Sequence, residues 1–187
     1  MQLNTCGFVL EIAEHLSFKQ YMLDYISKQP DMPLVEFDDN ITKTDWQESN
    51  DTTREYGIKF VDILQPYLTE VATQLFAEKF IINNMWYQQY AKNSKHQWHY
   101  HGQTSWSAVY FLELPDRKST RNNLATQLLD IPNNRMVYEK EIEEGDLFIF
   151  PASLLHRSPE NLTNDLKTII SFNLDFDIVN ILEGTTG

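Results

Sequence analysis

The sequence contains a single cysteine, Cys6, which excludes an internal disulfide and a metal site built from several cysteines. It also lacks any apolar run that approaches the roughly 20 residues of a membrane-spanning helix. Its N-terminus has no cationic stretch ahead of apolar residues, as a secretory signal would have. We therefore expect a cytoplasmic protein with no membrane partner. If it binds a metal ion, the ligands must be His, Asp or Glu.

Positive charge is also scarce. The chain has 15 Lys and Arg residues against 27 Asp and Glu residues, a formal net charge of −12. Such a surface repels phosphate backbones and anionic membranes unless basic residues are concentrated in one place. One such cluster, Arg117, Lys118 and Arg121, lies in a polar stretch between two strand candidates. A solvated loop is the ordinary interpretation there and a substrate-guiding rim is the alternative. Nucleic-acid binding is therefore disfavoured.

Two segments of the first 79 residues have apolar residues at helical spacing. They are Phe18, Tyr21, Met22, Tyr25 and Ile26 in the first segment and Tyr56, Phe60, Ile63, Tyr67, Val71 and Leu75 in the second. Ser17 and Gln20 form a capping-box pattern that predicts the start of the first helix, and Pro30 predicts its end. Pro66 predicts a break or kink in the second helix. Residues 38–55, between the two, are polar and rich in turn formers, which indicates a loop or partly mobile segment long enough for a lid.

From residue 80 the apolar residues follow the spacing of strands. Turn-forming residues separate seven predicted strands, at 80–91, 97–100, 106–114, 125–129, 135–138, 147–150 and 167–176. Helices followed by this many strands are typical of an α+β protein, and the arrangement predicts a jelly-roll barrel, or double-stranded β-helix, over residues 80–177. Residues 1–79 would then be mainly helical support within one domain, since 187 residues suit a single core.

Three of the five histidines, His96, His99 and His101, fall within six residues. His99 and His101 are two apart, so in a strand both imidazoles point to the same face and can chelate one metal ion. Aromatic and β-branched neighbours favour a strand at this point. His96 is three residues before His99, which turns it to the other face, so we expect it at the edge of the strand. For this pair alone, a histidine-rich turn without metal is the alternative.

A second pattern lies about 50 residues downstream. A Gly-Asp turn at 145–146 precedes a wholly apolar run, which predicts a fully buried strand, and a proline ends the run. His156 follows five residues after the proline. A histidine pair on one strand and a third histidine after a Gly-Asp-strand-Pro unit can bring three ligands to one face of a jelly-roll barrel. We therefore predict that His99, His101 and His156 bind one divalent metal ion.

These residues resemble the motif of the 2-oxoglutarate/Fe(II)-dependent oxygenases, and most closely that of their short bacterial and phage members. The resemblance covers roughly residues 85–176, about half of the chain. It consists of the order histidine pair, strand, Gly-Asp-strand-Pro unit, histidine and basic residue. It implies a jelly-roll enzyme of hydroxylase type that uses Fe(II) and 2-oxoglutarate. The implied iron ligands are His99 and His156, with His101 at the position where most members have Asp or Glu.

The resemblance also implies where the cosubstrate binds. Lys167 matches the basic residue that pairs with the far carboxylate of 2-oxoglutarate, where Arg is commoner, and Tyr90 matches a cosubstrate-binding tyrosine of the prolyl-hydroxylase branch. Ser107 and Asn173 are further candidates for polar contacts with it. Lys167, Ser171 and Asn173 share a polar face of the last predicted strand beside an apolar face, as in a strand that lines a cavity. A solvent-exposed Lys167 is the alternative.

Several points remain open. An acidic residue, Glu113 or Asp146, is the alternative to His101 as third ligand, although Asp146 is expected to make hydrogen bonds in its turn. Phe111 and Ile169 stand where family members often have hydroxyl groups for the cosubstrate. A three-histidine site suits zinc as well as iron. The substrate is expected to be a peptide side chain or a small molecule, without a choice between them.

Two other functions compete with the oxygenase. A cupin-type metalloprotein that does not use 2-oxoglutarate would share the histidine pair and the later strand-Pro-His unit, but the glutamate expected soon after the pair is missing. A jelly-roll module without catalytic activity would bind a partner or ligand instead. Trp46, Trp98 and Trp106 are candidates for an apolar entrance, although aromatic residues in strands more often pack in the core.

Overall fold

A computed structural model describes residues 2–4, 7–48, 54–117, 125–130, 135–138 and 142–178. Within these ranges the chain forms two helices, α1 (His15–Lys28) and α2 (Glu55–Gln74), and a short 3-10 turn at Pro115–Arg117. Its strands are β1 (Gln2–Asn4), β2 (Gly7–Glu11), β3 (Lys43–Thr44), β4 (Ala77–Tyr90), β5 (His96–His99), β6 (Trp106–Glu113), β7 (Gln127–Asp130), β8 (Arg135–Tyr138), β9 (Asp146–Pro151), β10 (Leu155–Ser158) and β11 (Lys167–Ile178). Neither helix is both long and apolar enough to cross a membrane.

The strands pair antiparallel in two sheets. The larger sheet has the order β1-β2-β9-β6-β11-β4-β3, and the smaller has the order β5-β10-β7-β8. Neighbours in each sheet are mostly distant in sequence, because the chain crosses repeatedly from one sheet to the other, as in a jelly roll. The predicted α+β fold, a double-stranded β-helix supported by helices, is therefore confirmed.

The larger sheet is covered on both faces. In β9, Leu147 and Ile149 belong to the core that the sheet shares with α1 and α2. Phe148 and Phe150, which point the other way, pack in a second core that includes Leu128 of β7 in the smaller sheet. A strand that is buried on both faces needs apolar residues at every position, which explains the continuous apolar run in the sequence.

The seven predicted strands are present, with ends shifted by a few residues. The prediction missed four others, namely β1, β2, β3 and β10. β2 joins the larger sheet by pairing with β9, and its residue Gly7 lies so close that a Cβ atom there would collide with the Ile149 carbonyl oxygen. The first 79 residues therefore contribute strands as well as helices. Lys118 and Arg121 of the predicted basic loop lie outside the described residues, so its role stays a prediction.

The start of α1 and the course of α2 at Pro66 were both predicted from the sequence. The N-cap of α1 is Glu14, and Ser17 lies in the first turn, where its hydroxyl donates to the Glu14 carbonyl oxygen (2.6 Å). The capping-box prediction is wrong because the helix starts earlier, at His15, which is buried against Gly145. α2 continues through Pro66, so of the predicted break or kink the break is wrong and the kink stays a prediction. Buried residues on both sides of the proline pack in one core, which offsets the lost backbone hydrogen bond.

Part of the segment that was predicted as a loop or lid is tied to the larger sheet. β3 pairs with β4, and the carboxylate of the next residue, Asp45, is buried. It accepts hydrogen bonds from Arg54 Nε (2.6 Å) and the Tyr56 hydroxyl (3.0 Å). It also accepts one from the backbone nitrogen of Tyr87 in β4 (2.8 Å). This anchoring does not fit a hinged lid; residues 49–53 of the segment lie outside the described residues.

Replacing Asp45 with alanine should destabilise the fold by about 3–5 kcal/mol, because it leaves the Arg54 charge buried without its carboxylate. Chemical denaturation followed by circular dichroism would measure the loss. Asp177→Ala is the matched control, since the ion pair of Asp177 with Lys79 is more than half exposed on both sides. Such exposed pairs contribute less than about 1 kcal/mol. Equal losses in the two variants would contradict the prediction.

Candidate metal centre

Three histidines meet inside the barrel. His99 ends β5, His101 follows it, and His156 lies in β10. β5 and β10 are antiparallel neighbours in which His99 and His156 are directly paired. A ring nitrogen of each of the three histidines lies within 4.8 Å of those of the other two. The fold thus brings together the three residues that the sequence pattern singled out, and β10, which the prediction missed, carries one of them.

Hydrogen bonds at Nδ1 orient two of these rings. His99 Nδ1 lies 2.7 Å from the Gln97 carbonyl oxygen, and His156 Nδ1 lies 2.8 Å from the Leu154 carbonyl oxygen. A carbonyl oxygen only accepts, so Nδ1 carries the proton in both rings. Nε2 then keeps the lone pair that a metal ion needs.

Ser107 and Asn173 hold the third ring. The Asn173 side-chain oxygen lies 2.5 Å from His101 Nδ1. The Ser107 hydroxyl lies 3.0 Å from the same nitrogen and donates to the Asn173 oxygen (3.1 Å). These contacts orient His101 and leave its Nε2 available, as in the other two rings. Sequence reasoning placed Asn173 on a face that lines a cavity and assigned both residues to the cosubstrate; that contact stays a prediction.

Burial lowers the pKa of all three imidazoles. The pKa of His156 falls to about 3 through burial and through its neighbour His99, and burial also lowers the pKa values of His99 and His101. The three rings are therefore neutral near pH 7. Neutral imidazole is the form that binds a metal ion, so no proton has to be displaced.

His96 is a neighbour of this group and not a member of it. Its ring stacks on that of His99, with centroids 3.9 Å apart and planes at 24°. Its Nε2 lies 3.8 Å from an Asp39 carboxylate oxygen. Among the described residues, the converging group consists of the other three histidines alone. The position of His96 at the start of β5 agrees with the predicted place at the strand edge.

The two acidic alternatives for the third ligand are engaged elsewhere. Glu113 Oε2 accepts a hydrogen bond from the Thr168 hydroxyl (3.0 Å). Asp146 Oδ2 accepts one from the Glu143 backbone nitrogen (2.7 Å), which confirms the predicted turn role. Neither carboxylate belongs to the converging group. His101 therefore fits the third position better than either.

Lys167 and Tyr90 lie side by side on paired strands, β11 and β4. Lys167 is only 3% exposed, so the solvent-exposed alternative is wrong. Its Nζ donates to the Ser158 hydroxyl (2.7 Å) and to the Ala125 carbonyl oxygen, and lies 5.2 Å from the centre of the Tyr90 ring. The Tyr90 hydroxyl is buried and makes no hydrogen bond of normal geometry within the described ranges. A buried ammonium beside such a hydroxyl can receive a carboxylate.

Two cavities meet at the histidines. The smaller, of about 30 Å³, is lined by the three converging histidines together with Tyr90, Ser107, Thr126, Ser158, Ile169 and others. The larger, of about 760 Å³, is lined on its other sides by Trp46, Trp86, Asp39, Asn84, Tyr100 and others. His99 and His101 thus line both the small pocket and the larger groove.

The groove contains residues that sequence reasoning missed. Trp86, Gln88 and Asp39 line it, and none of them has a spacing that relates it to the histidines. Of the tryptophans considered for an entrance, Trp46 lines the groove. The other two lie elsewhere: Trp98 packs under Arg157, and Trp106 packs in the core against Phe8 and Phe176.

Acid should destabilise the metal-free protein through these histidines. A base whose pKa falls on folding binds fewer protons in the folded state, so stability is lost as the pH falls from about 6.5, the unfolded value, towards the folded value. The folded pKa is about 3 for both His156 and His96. In each case burial lowers the pKa most, and the neighbouring His99 lowers it further. Each such histidine costs about 1.4 kcal/mol per pH unit in this window.

Denaturant unfolding at pH 7.5 and 5.5 would measure the effect. Asp146 acts in the opposite direction, because burial raises its pKa to about 6, so that the folded state takes up a proton as the pH falls. The Asp146→Asn background therefore isolates the histidine contribution. Equal stability at the two pH values in that background would contradict the prediction.

A comparison with protein families finds one match. The model described as "Putative 2OG-Fe(II) oxygenase" matches residues 84–173. This range contains the three converging histidines and also Tyr90, Ser107, Lys167 and Asn173. No curated protein matches the chain.

Solved structures share the fold. The viral collagen prolyl hydroxylase from Paramecium Bursaria Chlorella virus-1 has a TM-score of 0.59 at 11% identity, over 94% of this chain and 100% of that one. A Pseudomonas putida prolyl-4-hydroxylase has a TM-score of 0.60 at 10% identity, over 94% of this chain and 95% of that one. An oxidoreductase of the 2OG-Fe(II) oxygenase family from Burkholderia pseudomallei has a TM-score of 0.63 at 9% identity, over 93% of each chain. At these identities the likeness concerns the fold alone.

The family match covers the same residues that build the three-histidine centre, and the chain has the double-stranded β-helix of the solved oxygenases. The resemblance stated from the sequence is therefore confirmed. Through residues 84–173 this chain belongs to the 2OG-Fe(II) oxygenase family, and it is an oxygenase with Fe(II) as cofactor and 2-oxoglutarate as cosubstrate.

Proposed function

We propose that His99, His101 and His156 hold the Fe(II) ion and that the enzyme hydroxylates an unactivated C–H bond of a peptide side chain or a small molecule. The observation that carries this proposal is the convergence of three imidazoles, each held at Nδ1 so that Nε2 remains available. Three imidazoles on one side would hold the ion and leave room beside it for the cosubstrate.

The chemistry that bound iron supplies is an oxidation in which C–H, dioxygen and 2-oxoglutarate become C–OH, succinate and carbon dioxide. The donor set fits this ion, since imidazole is a good ligand for iron. Three neutral histidines leave the metal charge less compensated than two histidines and a carboxylate would. That charge favours a dianion such as 2-oxoglutarate. The same donor set suits zinc, so the metal has to be measured.

We assign the far carboxylate of 2-oxoglutarate to Lys167 and Tyr90. The ammonium is buried, and the neighbouring hydroxyl has no other hydrogen bond of normal geometry within the described ranges. The adjoining pocket of about 30 Å³ holds about one water molecule, so the side chains around it must separate when the cosubstrate enters. A buried cation also favours the oxygenase over the cupin-type alternative, which needs no cation opposite a dicarboxylate.

Metal analysis combined with a turnover assay tests the proposal. Protein loaded with Fe(II) without oxygen should hold one iron per chain, and admission of oxygen with 2-oxoglutarate should release succinate even without substrate, slowly. The zinc-loaded protein is the control and should release none. Metal binding without 2-oxoglutarate binding would favour the cupin type. Binding of neither would favour a module without catalytic activity.

We further propose that the chain works as one domain in the cytoplasm, without a membrane or nucleic-acid partner. α1 and α2 share a core with the larger sheet, which supports residues 1–79 as a buttress for the barrel at 80–177. The net charge of −12 opposes binding to nucleic acid. Limited proteolysis that released a stable fragment of either part would contradict the single domain.

A further inference from the structure

We propose that the substrate carries a cation at the end of an aliphatic chain, an alkylammonium or guanidinium group, and that it binds in the groove of about 760 Å³ beside the histidines. This inference rests on the proposed function and specifies the substrate class of the same site. The groove has the volume of a ligand site, since such sites typically measure about 300–1,000 Å³.

The charge of the groove favours a cation. Two carboxylates, Glu36 and Asp39, line it, whereas the described residues of its wall include no lysine or arginine. Lys95, which is close in sequence, lies outside the lining with its Nζ 4.0 Å from a carboxylate oxygen of Asp38. A concave site with walls of one sign concentrates ions of the opposite sign. An anionic substrate would be repelled from the same groove.

Asp39 is held in place for such a contact. Its Oδ1 accepts a hydrogen bond from the Gln97 backbone nitrogen (2.6 Å), and its side chain is only 20% exposed. Its Oδ2 lies 3.8 Å from His96 Nε2, beyond hydrogen-bond distance, and so can accept from a ligand. His96 in turn stacks on His99. Asp39 is thus linked to the metal centre through His96 and His99. An aliphatic chain can extend from a cation at Asp39 to the metal centre.

The walls of the groove suit that aliphatic chain. Trp46 and Trp86 meet edge to face with ring centroids 4.5 Å apart, and Trp86 lies 6.0 Å from the His101 ring. Aromatic faces pack against methylene groups and also attract cations. Asn84 lines the groove as well, and its side-chain oxygen is buried without a hydrogen bond within the described ranges. The two carboxylates and this oxygen are hydrogen-bond acceptors, to which an ammonium can donate.

Calorimetry on the Fe(II)-loaded protein without oxygen tests the inference. The probes are a Gly/Ser peptide with one central lysine, the same peptide with ε-N-acetyl-lysine or glutamate in its place, and free lysine amide. The lysine peptide should bind at least about tenfold more tightly than the acetylated and glutamate peptides, since hydrogen bonds to charged groups are the stronger ones. Its affinity should also fall with added salt.

The source of the cation follows from the same data. Equal affinity for the peptide and for lysine amide would identify a small molecule, and tighter peptide binding would identify a polypeptide. Equal affinity for the lysine and acetyl-lysine peptides would overturn the proposal.

Two neighbouring aspartates provide a matched pair of variants. Asp39→Asn should weaken binding of the lysine peptide about tenfold. Asp38→Asn removes the same charge from the neighbouring residue. The Asp38 side chain is 83% exposed and lies outside the groove, so this variant should leave the affinity unchanged. Glu36→Gln is the second test if Asp39→Asn fails to fold, because Glu36 is exposed, and it should weaken binding about threefold. Equal losses in Asp38→Asn and Asp39→Asn would overturn the proposal.

Iron content and 2-oxoglutarate affinity, measured on the same sample, separate the two proposals. If iron and 2-oxoglutarate bind and the lysine peptide is not preferred, the inference about the groove fails and the oxygenase assignment stands. If the lysine peptide is preferred and neither iron nor 2-oxoglutarate binds, the groove is selective for cations and the proposed function fails.

Discussion

Replacing His156 with alanine should lower the Fe(II) affinity by more than about 100-fold and abolish release of succinate from 2-oxoglutarate. The substitution deletes one of three converging nitrogens and leaves the other two in place on β5 and just after it. Loss of a group that only supports a metal ligand costs about 10–100-fold, so loss of a ligand itself must cost more. Iron content after dialysis, measured by emission spectroscopy, gives the result directly.

His96→Ala is the matched control for this experiment. His96 is a histidine of the same cluster whose ring contacts His99, but it lies outside the converging group. Its removal should leave one iron per chain. Circular dichroism of both variants shows whether the barrel is intact. Retention of iron by His156→Ala, or an equal loss of iron in His96→Ala, would contradict the assignment of the three ligands.

The sequence predicted the strands that have strong side-chain patterns. The apolar run of β9 can bury every one of its side chains only in a sheet that is covered on both faces. In β11 the alternation was equally informative, because Ile170 and Phe172 face the helices while Lys167 and Asn173 face the barrel interior. Periodicity therefore identified both the elements and their inner faces.

The elements that the sequence did not predict depend on contacts with distant parts of the chain. β3 has two residues, and its position follows from pairing with β4 and from the buried Asp45–Arg54 ion pair. The start of α1 follows from the packing of His15 against Gly145, 130 residues away. β2 is different, since alternate residues such as Phe8 and Leu10 are buried and give a readable strand signal that the prediction did not use.

The same distinction applies to the site. The histidines were predicted because chain spacing relates them to one another and to a strand. Asp39 and Trp86 were missed because the fold alone brings them to the groove, Asp39 from the connection between α1 and β3 and Trp86 from β4. Asn173 was placed on the correct face and Ser107 was named as a polar candidate, but only the position of the His101 ring determines that both contact its Nδ1.

Lys167→Met should weaken 2-oxoglutarate binding by about 2–5 kcal/mol, or roughly thirtyfold to several thousandfold, and leave iron binding intact. The substitution keeps most of the side-chain volume and removes the buried ammonium. A 2-oxoglutarate carboxylate bound beside Tyr90 would then be left without a cation. A lysine is a point charge without the two-pronged geometry of arginine, and so it needs a hydroxyl partner. Tyr90→Phe should therefore cost less than Lys167→Met, about tenfold. Calorimetry with metal-loaded protein measures both.

Lys43 supplies the matched control for this variant, because it is also a buried lysine that donates to a backbone carbonyl oxygen, that of Gln29 (2.6 Å). Gln29 lines neither cavity, whereas Tyr90 and Ser158, which lie beside Lys167, line the pocket of about 30 Å³. If Lys43→Met weakens 2-oxoglutarate binding as much as Lys167→Met does, the loss reflects general damage to the fold and the assignment fails. If Lys167→Met binds 2-oxoglutarate as tightly as the parent protein, the far carboxylate lies elsewhere. If the metal-loaded parent protein binds none, the pocket beside the histidines is not a cosubstrate site, and a cupin-type metal centre explains the three histidines better.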